Sequence, residues 1–270
     1  MSRATGTEKM EGLWLVNLYD YLAGRMEKSL AGYLSLRKIA EAHDSGYLVA
    51  TVDWISGFIY SDLGRFDEAR RAFLARFEYQ GAPASHDNDR TELAFLLGQV
   101  DLGQRRLDDA RVRLGEINEL LPKLAPENAK FATFIYRLLD AEVALAGGLP
   151  DKALAAAERL QLMDFSGMNT PNVARYNVPF IKDALARAYW KKGDLDKAVA
   201  EYRKLMTVDP KNQIRYFIHP LYHYRLGRVL EEKGDKSGAA VEYRKFLEFW
   251  KDADPTHPEL ADARTRLAAL

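Results

Sequence analysis

Leu185-Ala186-Arg187-Ala188-Tyr189-Trp190-Lys191-Lys192-Gly193-Asp194-Leu195-Asp196-Lys197-Ala198, running on to Tyr202, Leu205, Asp209 and Pro210, reads as a helix, a turn, a second helix and a proline stop. Gly193 can take the left-handed conformation that ends a helix, and Asp194 suits the turn into the next one. The same order recurs along the chain. A near copy runs Leu226-Gly227-Arg228, Gly234-Asp235-Lys236, Ala239, Tyr243 and Phe246. Earlier come Gly57, Tyr60, Gly64-Arg65-Phe66-Asp67-Glu68-Ala69 and Phe73, then Leu97-Gly98, Leu107-Asp108-Asp109-Ala110, Leu114 and Ile117. Fainter copies are Gly24, Ser29, Tyr33, Leu36 and Ala141, Gly148-Leu149-Pro150-Asp151-Lys152-Ala153, Leu160.

Six copies in series, each with a small residue early in its second helix, define a repeat architecture. Those anchors are Ser29, Ala69, Ala110, Ala153, Ala198 and Ala239. Two antiparallel helices that cross closely leave no room for a large side chain at the crossing. The expected facing pairs are therefore Gly57 with Ala69, Gly98 with Ala110, Ala186 with Ala198 and Gly227 with Ala239. A Leu forced in at Ala198 would cost roughly 1–3 kcal/mol through overpacking. Tyr60, Tyr189, Phe73, Tyr202, Tyr243 and Phe246 then fill the space between neighbouring hairpins. No hairpin can bury its apolar face alone, so stability comes from stacking on the next.

The pattern resembles the tetratricopeptide repeat family over essentially the whole chain after residue 9. The anchors lie 40, 41, 43, 45 and 41 residues apart, longer than the roughly 34 of a minimal unit, which implies extended helices or loops. The resemblance implies an all-α, right-handed α-solenoid of about six hairpins over 10–257. A disordered segment 1–9 precedes it and a capping helix lies within 258–270. Helices are expected at 10–23, 26–42, 46–63, 66–79, 88–103, 107–121, 127–146, 150–162, 178–192, 195–207, 220–233, 236–250 and 258–269. The stretch from Ile218-His219-Pro220 through Trp250-Lys251-Asp252-Ala253-Asp254-Pro255 looks like the last repeat of many bacterial multi-domain signalling proteins. There such an array follows a kinase, cyclase or winged-helix domain. That resemblance would make the chain a docking or sensor part of something larger.

Composition narrows the function. With 47% hydrophobic and 29% charged residues in 270, the chain can bury a large core. Thirty-nine basic residues balance 39 acidic ones, against the basic excess of a nucleic-acid binder. Cysteine is absent, which removes disulfides, thiolate metal sites and cysteine nucleophiles. No run of 18 apolar residues occurs, and the polar start Met1 to Met10 lacks a signal-peptide core, so a cytoplasmic location is expected. Nucleophile elbows, zinc-helix motifs and phosphate loops are missing. No enzyme, cofactor or metal is expected. His219 and His223, four apart, form a conceivable metal pair without a third ligand, and His219, just before Pro220, suits the start of a helix better. His43, His86 and His257 fall in turn-like contexts without signal.

In the resembled family the first helix of each hairpin lines a concave groove that binds a protein or peptide. Helical spacing then selects Trp14, Leu18, Tyr21, Trp54, Phe58, Phe95 and Gln99 in the amino-terminal half. In the carboxy-terminal half it selects Asp183, Arg187, Trp190, Lys191, Tyr224, Arg225 and Arg228. Arg187, Arg225 and Arg228 would suit an acidic or carboxylate-ended peptide. Family members that clamp a terminal carboxylate use lysine and asparagine at positions held here by Asp183 with Arg187 and Tyr224 with Arg228, which argues against that mode. Two other readings remain open. One is a small-ligand sensor closed by 163–177, a stretch rich in Asn, Pro and Gly. The other is a self-assembling solenoid, that is, a homo-oligomer.

Overall fold

A computed structural model describes residues 6–78, 86–160, 182–207 and 218–270, with side chains from Met10 onward. Among the described residues there are thirteen α-helices, one short 3-10 turn (Leu121–Lys123) and no strand. In chain order the helices are α1 (Gly6–Leu22), α2 (Met26–Ala42), α3 (Gly46–Asp62), α4 (Phe66–Glu78), α5 (Asp87–Gly103), α6 (Leu107–Leu120) and α7 (Pro126–Ala146). They continue with α8 (Pro150–Ala157), α9 (Ala184–Lys192), α10 (Leu195–Leu205), α11 (Leu221–Glu232), α12 (Lys236–Phe249) and α13 (Pro258–Ala269). Repeat reasoning places nearly every boundary within two residues. Three ends differ. α1 starts at Gly6, so 6–9 are helical where disorder is expected: once Trp14, Leu18 and Tyr21 anchor the helix, each further residue adds a hydrogen bond at little cost. α8 leaves its helix by a tight turn in which Leu160 N donates to Ala157 O at 3.0 Å. α9 begins only after Asp183, whose carboxylate is engaged elsewhere.

The chain forms two compact units. One takes the described residues of 1–32 and 165–270, the other those of 33–164. In the second unit α3 pairs with α4, α5 with α6 and α7 with α8, and α4 and α5, α5 and α7, and α6 and α7 also pack together. In the first unit α9 pairs with α10 and α11 with α12, α10 lies on α11, and α13 closes against α12. This is the all-α arrangement of stacked helical hairpins.

All six small anchors have no exposed surface. Their opposite numbers stand twelve residues earlier, but what fills the crossing differs from the expected pairing. A side chain on Gly57 would run into the Phe73 ring, and one on Gly227 would lie 2.7 Å from Tyr243. On Gly98 it would lie 2.8 Å from Leu139 of α7. The glycine thus makes room for the ring four residues beyond the anchor, or for the neighbouring hairpin. The first hairpin uses polar chemistry instead: Ser29 Oγ donates to Asn17 O at 2.7 Å, and the Asn17 side chain sits over Gly32. At the hairpin turns Gly24, Gly64, Gly148, Gly193 and Gly234 have φ between 70° and 88°, where a Cβ is costly.

The first unit is also tied together by residues 250–257. Trp250 Nε1 donates to Leu22 O at 3.1 Å, and Asp254 N donates to Gly24 O at 3.0 Å. His257 Nε2 lies 2.9 Å from the same Gly24 oxygen, with its ring 4.7 Å from that of Trp250. Asp254 Oδ2 accepts from Glu27 N at 3.0 Å, capping the start of α2. Carbonyls that the end of α1 leaves open are satisfied by the far end of the chain. The sequence carries no hint of this role for His257.

Candidate functional site

Helix α3 is buried without interruption from Val52 to Ile59, so that stretch has no open side. Trp54 and Phe58 stack edge to face at 5.0 Å, Phe58 meets Phe73 at 5.1 Å, and Phe95 is buried in α5. In α1, Trp14, Leu18 and Tyr21 are buried as well. These side chains are core, not lining, and the amino-terminal half of the expected groove is corrected accordingly. The reason is physical: large rings at the spacing that selects a groove are also what closes helix against helix. Gln99 is half-buried.

The carboxy-terminal half keeps its side chains nearer water. Arg187, Trp190, Arg225 and Arg228 are half-buried, Lys191 is exposed, and Tyr224 is buried. Their organising centre is Asp183, with no exposed side-chain surface. Arg187 Nε donates to Asp183 Oδ1 at 2.9 Å, Arg225 Nη1 to Oδ2 at 2.5 Å, and the Tyr202 hydroxyl to Oδ2 at 3.1 Å. Burial alone would raise the Asp183 carboxyl, but the two guanidinium groups outweigh it and hold the group below its usual range. Burial, with the Asp183 charge behind it, pushes the Tyr202 hydroxyl well above its ordinary value. One carboxylate thus anchors two arginines from two hairpins.

Beside this centre Trp190 Nε1 donates to Glu232 Oε2 at 2.7 Å, and the Arg228 guanidinium lies 5.3 Å from the Trp190 ring centre. Tyr224 donates to Asp262 of α13 at 2.7 Å, and Arg266 holds both Asp262 at 2.6 Å and Glu231 at 3.1 Å. The face of α9 and α11 is therefore pre-arranged by crossed ion pairs and stacked rings. Arg187 and Arg225 are not idle cations awaiting a ligand, as spacing alone suggests.

The model of the Tetratricopeptide repeat family matches residues 183–212. This span begins at the Asp183 centre and contains α9 and α10. The chain carries a tetratricopeptide repeat. No curated protein matches the chain.

Within and beside that repeat, Asp183 stands out by its register. The position three residues before the small residue of the first helix holds Trp14, Trp54, Phe95, Leu138 and Tyr224 in five hairpins and Asp183 in the matched repeat. All six are buried. A carboxylate in a column of large apolar and aromatic residues is the signal that could have marked Asp183 as a hub. His219, just upstream of α11, accepts from Leu221 N through Nδ1 at 3.2 Å, placing it at the helix start as its proline neighbour implies. Burial drives its pKa well below the ordinary 6.5, and the Arg225 charge adds to this. His223 instead faces Glu242, Nδ1 to Oε2 at 2.6 Å. Among the described residues no group of three or more His, Cys, Asp or Glu side chains is arranged to hold a metal, and no helix is long and apolar enough to cross a membrane. The stretch 163–177 lies outside the described residues.

Proposed function

We propose that this chain is a non-catalytic scaffold that binds an acidic protein segment along the α9–α11 face of its tetratricopeptide repeats. Repeats of this family are protein-interaction scaffolds, and the finer reading rests on one observation. Two arginines, Arg187 and Arg225, share the single buried carboxylate of Asp183, beside the Arg228–Trp190 stack and the exposed Lys191. Two guanidinium groups against one carboxylate give a local positive excess held rigidly, which favours a carboxylate-bearing partner. Trp and Arg are also the residues that most often concentrate binding energy. The likeness of the last repeat to bacterial signalling proteins supports a docking role within a larger regulator.

The test is an array of acidic and control peptides probed with the wild-type chain and a Trp190→Ala, Lys191→Glu, Arg228→Glu variant. Arg225 is left in place, because its removal would strand the buried Asp183. Selective capture of acidic peptides, weakened by salt and lost in the variant at unchanged thermal stability, is expected. Capture undiminished in the variant, or indifferent to peptide charge, removes this face from consideration.

A further inference from the structure

The α9–α11 face already holds a carboxylate that belongs to the chain itself. Glu232, the last residue of α11, is exposed, yet its Oε2 accepts from Trp190 Nε1 of the preceding hairpin at 2.7 Å. An indole carries a single N–H and no acceptor. While Glu232 sits there, Trp190 has no donor left for another carboxylate.

The helix itself gives no reason for an acid at this place. The last turn of a helix is its negative end, where basic side chains are favoured and acidic ones are not. The preceding hairpin follows that rule: five residues after the small position, the counterpart of Glu232 is Lys191, in the basic last turn of α9. Glu231, the other acid in this turn, is engaged by Arg266 and the Tyr243 hydroxyl. Glu232 turns to α9 instead. There Arg228, one turn before it, lays its guanidinium 5.3 Å from the Trp190 ring centre, and Lys191 follows Trp190 in the chain.

On the reading that α9–α11 is the binding face, we infer that Glu232 is an internal competitor that sets how acidic a partner must be. It occupies the Trp190 N–H in the free chain and is displaced when a carboxylate of the partner takes that donor. The exchange breaks one hydrogen bond, forms one, and returns an exposed side chain to water at little cost, since such surface contacts contribute little. Glu232 is tethered to the face, so it competes at the high effective concentration of an intramolecular group. A lone carboxylate gains almost nothing against it. A run of carboxylates, which also reaches the arginines beside Asp183, displaces it and collects the Trp190 bond. Glu232 thus selects for density of charge in the partner.

Fluorescence polarisation with a labelled hexaglutamate peptide, blocked at both ends, tests this on the full chain at one salt concentration. Wild type is compared with Glu232→Ala, Trp190→Phe and the double variant. Glu232→Ala is expected to bind about 3- to 10-fold more tightly, the effect of one hydrogen bond of ordinary net strength, at an unchanged thermal midpoint. A merely structural role for the Glu232 contact predicts the opposite sign. In the Trp190→Phe background no N–H remains to compete for, and the same substitution is expected to gain less than about twofold. Affinity that stays level or falls in Glu232→Ala overturns the inference and leaves the binding face standing. A gain that persists undiminished beside Trp190→Phe overturns it too, by assigning the effect to plain removal of a negative charge. If neither wild type nor Glu232→Ala takes up the peptide, the face does not bind acidic segments and both readings fall.

Discussion

The α3–α4 hairpin of the second unit and the carboxy-terminal hairpins of the first share one register but do opposite things with it. One residue after the small position of the first helix stands Phe58 in α3, Arg187 in α9 and Arg228 in α11. Phe58 is sealed among Trp54 and Phe73. Arg187 reaches down to a buried carboxylate while its side chain stays 21% exposed. Three residues before the small position the contrast repeats, Trp54 against Asp183. The same helical pair can therefore be closed by rings or held open by a charge that must keep one end in water. In the second unit buried carboxylates stand at other positions: Asp53 takes Arg37 at 2.6 Å, Glu92 takes Arg76 at 3.0 Å, and Asp101 takes Arg70 at 2.5 Å and Arg106 at 2.8 Å.

Exchanging the two solutions is the harshest way to break this comparison. Phe58→Arg buries a cation where no carboxylate waits, on top of the roughly 3–5 kcal/mol expected for losing a packed ring. The reverse change, Arg228→Phe, keeps an aromatic partner over Trp190 and should cost less than about 1 kcal/mol. Urea unfolding of both variants reads the asymmetry. Similar losses would mean that the two faces are equally closed.

Asp183→Leu comes next. It restores the apolar residue that the other five hairpins place there, yet it strands Arg187 and Arg225 around a site built for a carboxylate. A loss of about 3–5 kcal/mol is expected, the range for breaking a buried pair by removing one partner. The same urea measurement decides it. A neutral result would show that the arginines simply swing to solvent, and that the Asp183 centre does not organise the face.

A smaller effect separates the two regions by pH. His219 is packed against the rings of Trp250 and Tyr222 and lies near Arg225, Asp183, Lys182 and His257. Its folded pKa is far below 6.5, so as pH falls the unfolded chain takes up the proton first. The stability it contributes is fully present above 6.5 and is lost as pH drops below that value, by at most about 1.4 kcal/mol per pH unit. Asp183 is lowered too and acts only in a more acid window, beneath the ordinary 3.8. His219→Asn preserves an acceptor at the helix start and removes the titration. Thermal melts of wild type should weaken between neutral and mildly acid pH more steeply than those of the variant; parallel curves would locate the acid sensitivity elsewhere.

Much of the fold was legible because crossing helices need small residues at a fixed interval, and that interval survives every change of the surrounding sequence. Ser29, with Asn17 twelve residues before it, follows the same rule in polar form. The site was less legible. Spacing assigns a side chain to a face but does not say whether the face is covered, so Trp54, Phe58 and Phe95 read like Trp190 until burial separates them. The ties from Trp250, Asp254 and His257 to the α1–α2 turn link residues more than 220 apart. Periodicity is a local signal and cannot reach that far.

The finest distinction between hairpins lies in the turn. Five anchors are preceded, five residues earlier, by a glycine at positive φ; the sixth, Ala110, is preceded by Arg105 at φ 60°. A side chain there crowds the backbone by roughly 1–2 kcal/mol. Arg105→Gly relieves that crowding but gives the unfolded chain more freedom, worth up to about 1 kcal/mol the other way. The net expectation is a gain of a few tenths to about 1 kcal/mol in urea unfolding. Gly64→Arg, the same exchange made in reverse one hairpin earlier at φ 72°, should lose a comparable amount. The two variants differ in what else the arginine touches, while the backbone strain is common to both. Opposite signs of similar size would therefore assign the effect to φ alone. A loss in both would mean that the Arg105 side chain holds the α5–α6 turn through its own contacts, making this hairpin an exception to the glycine rule by design of its surface rather than in spite of it.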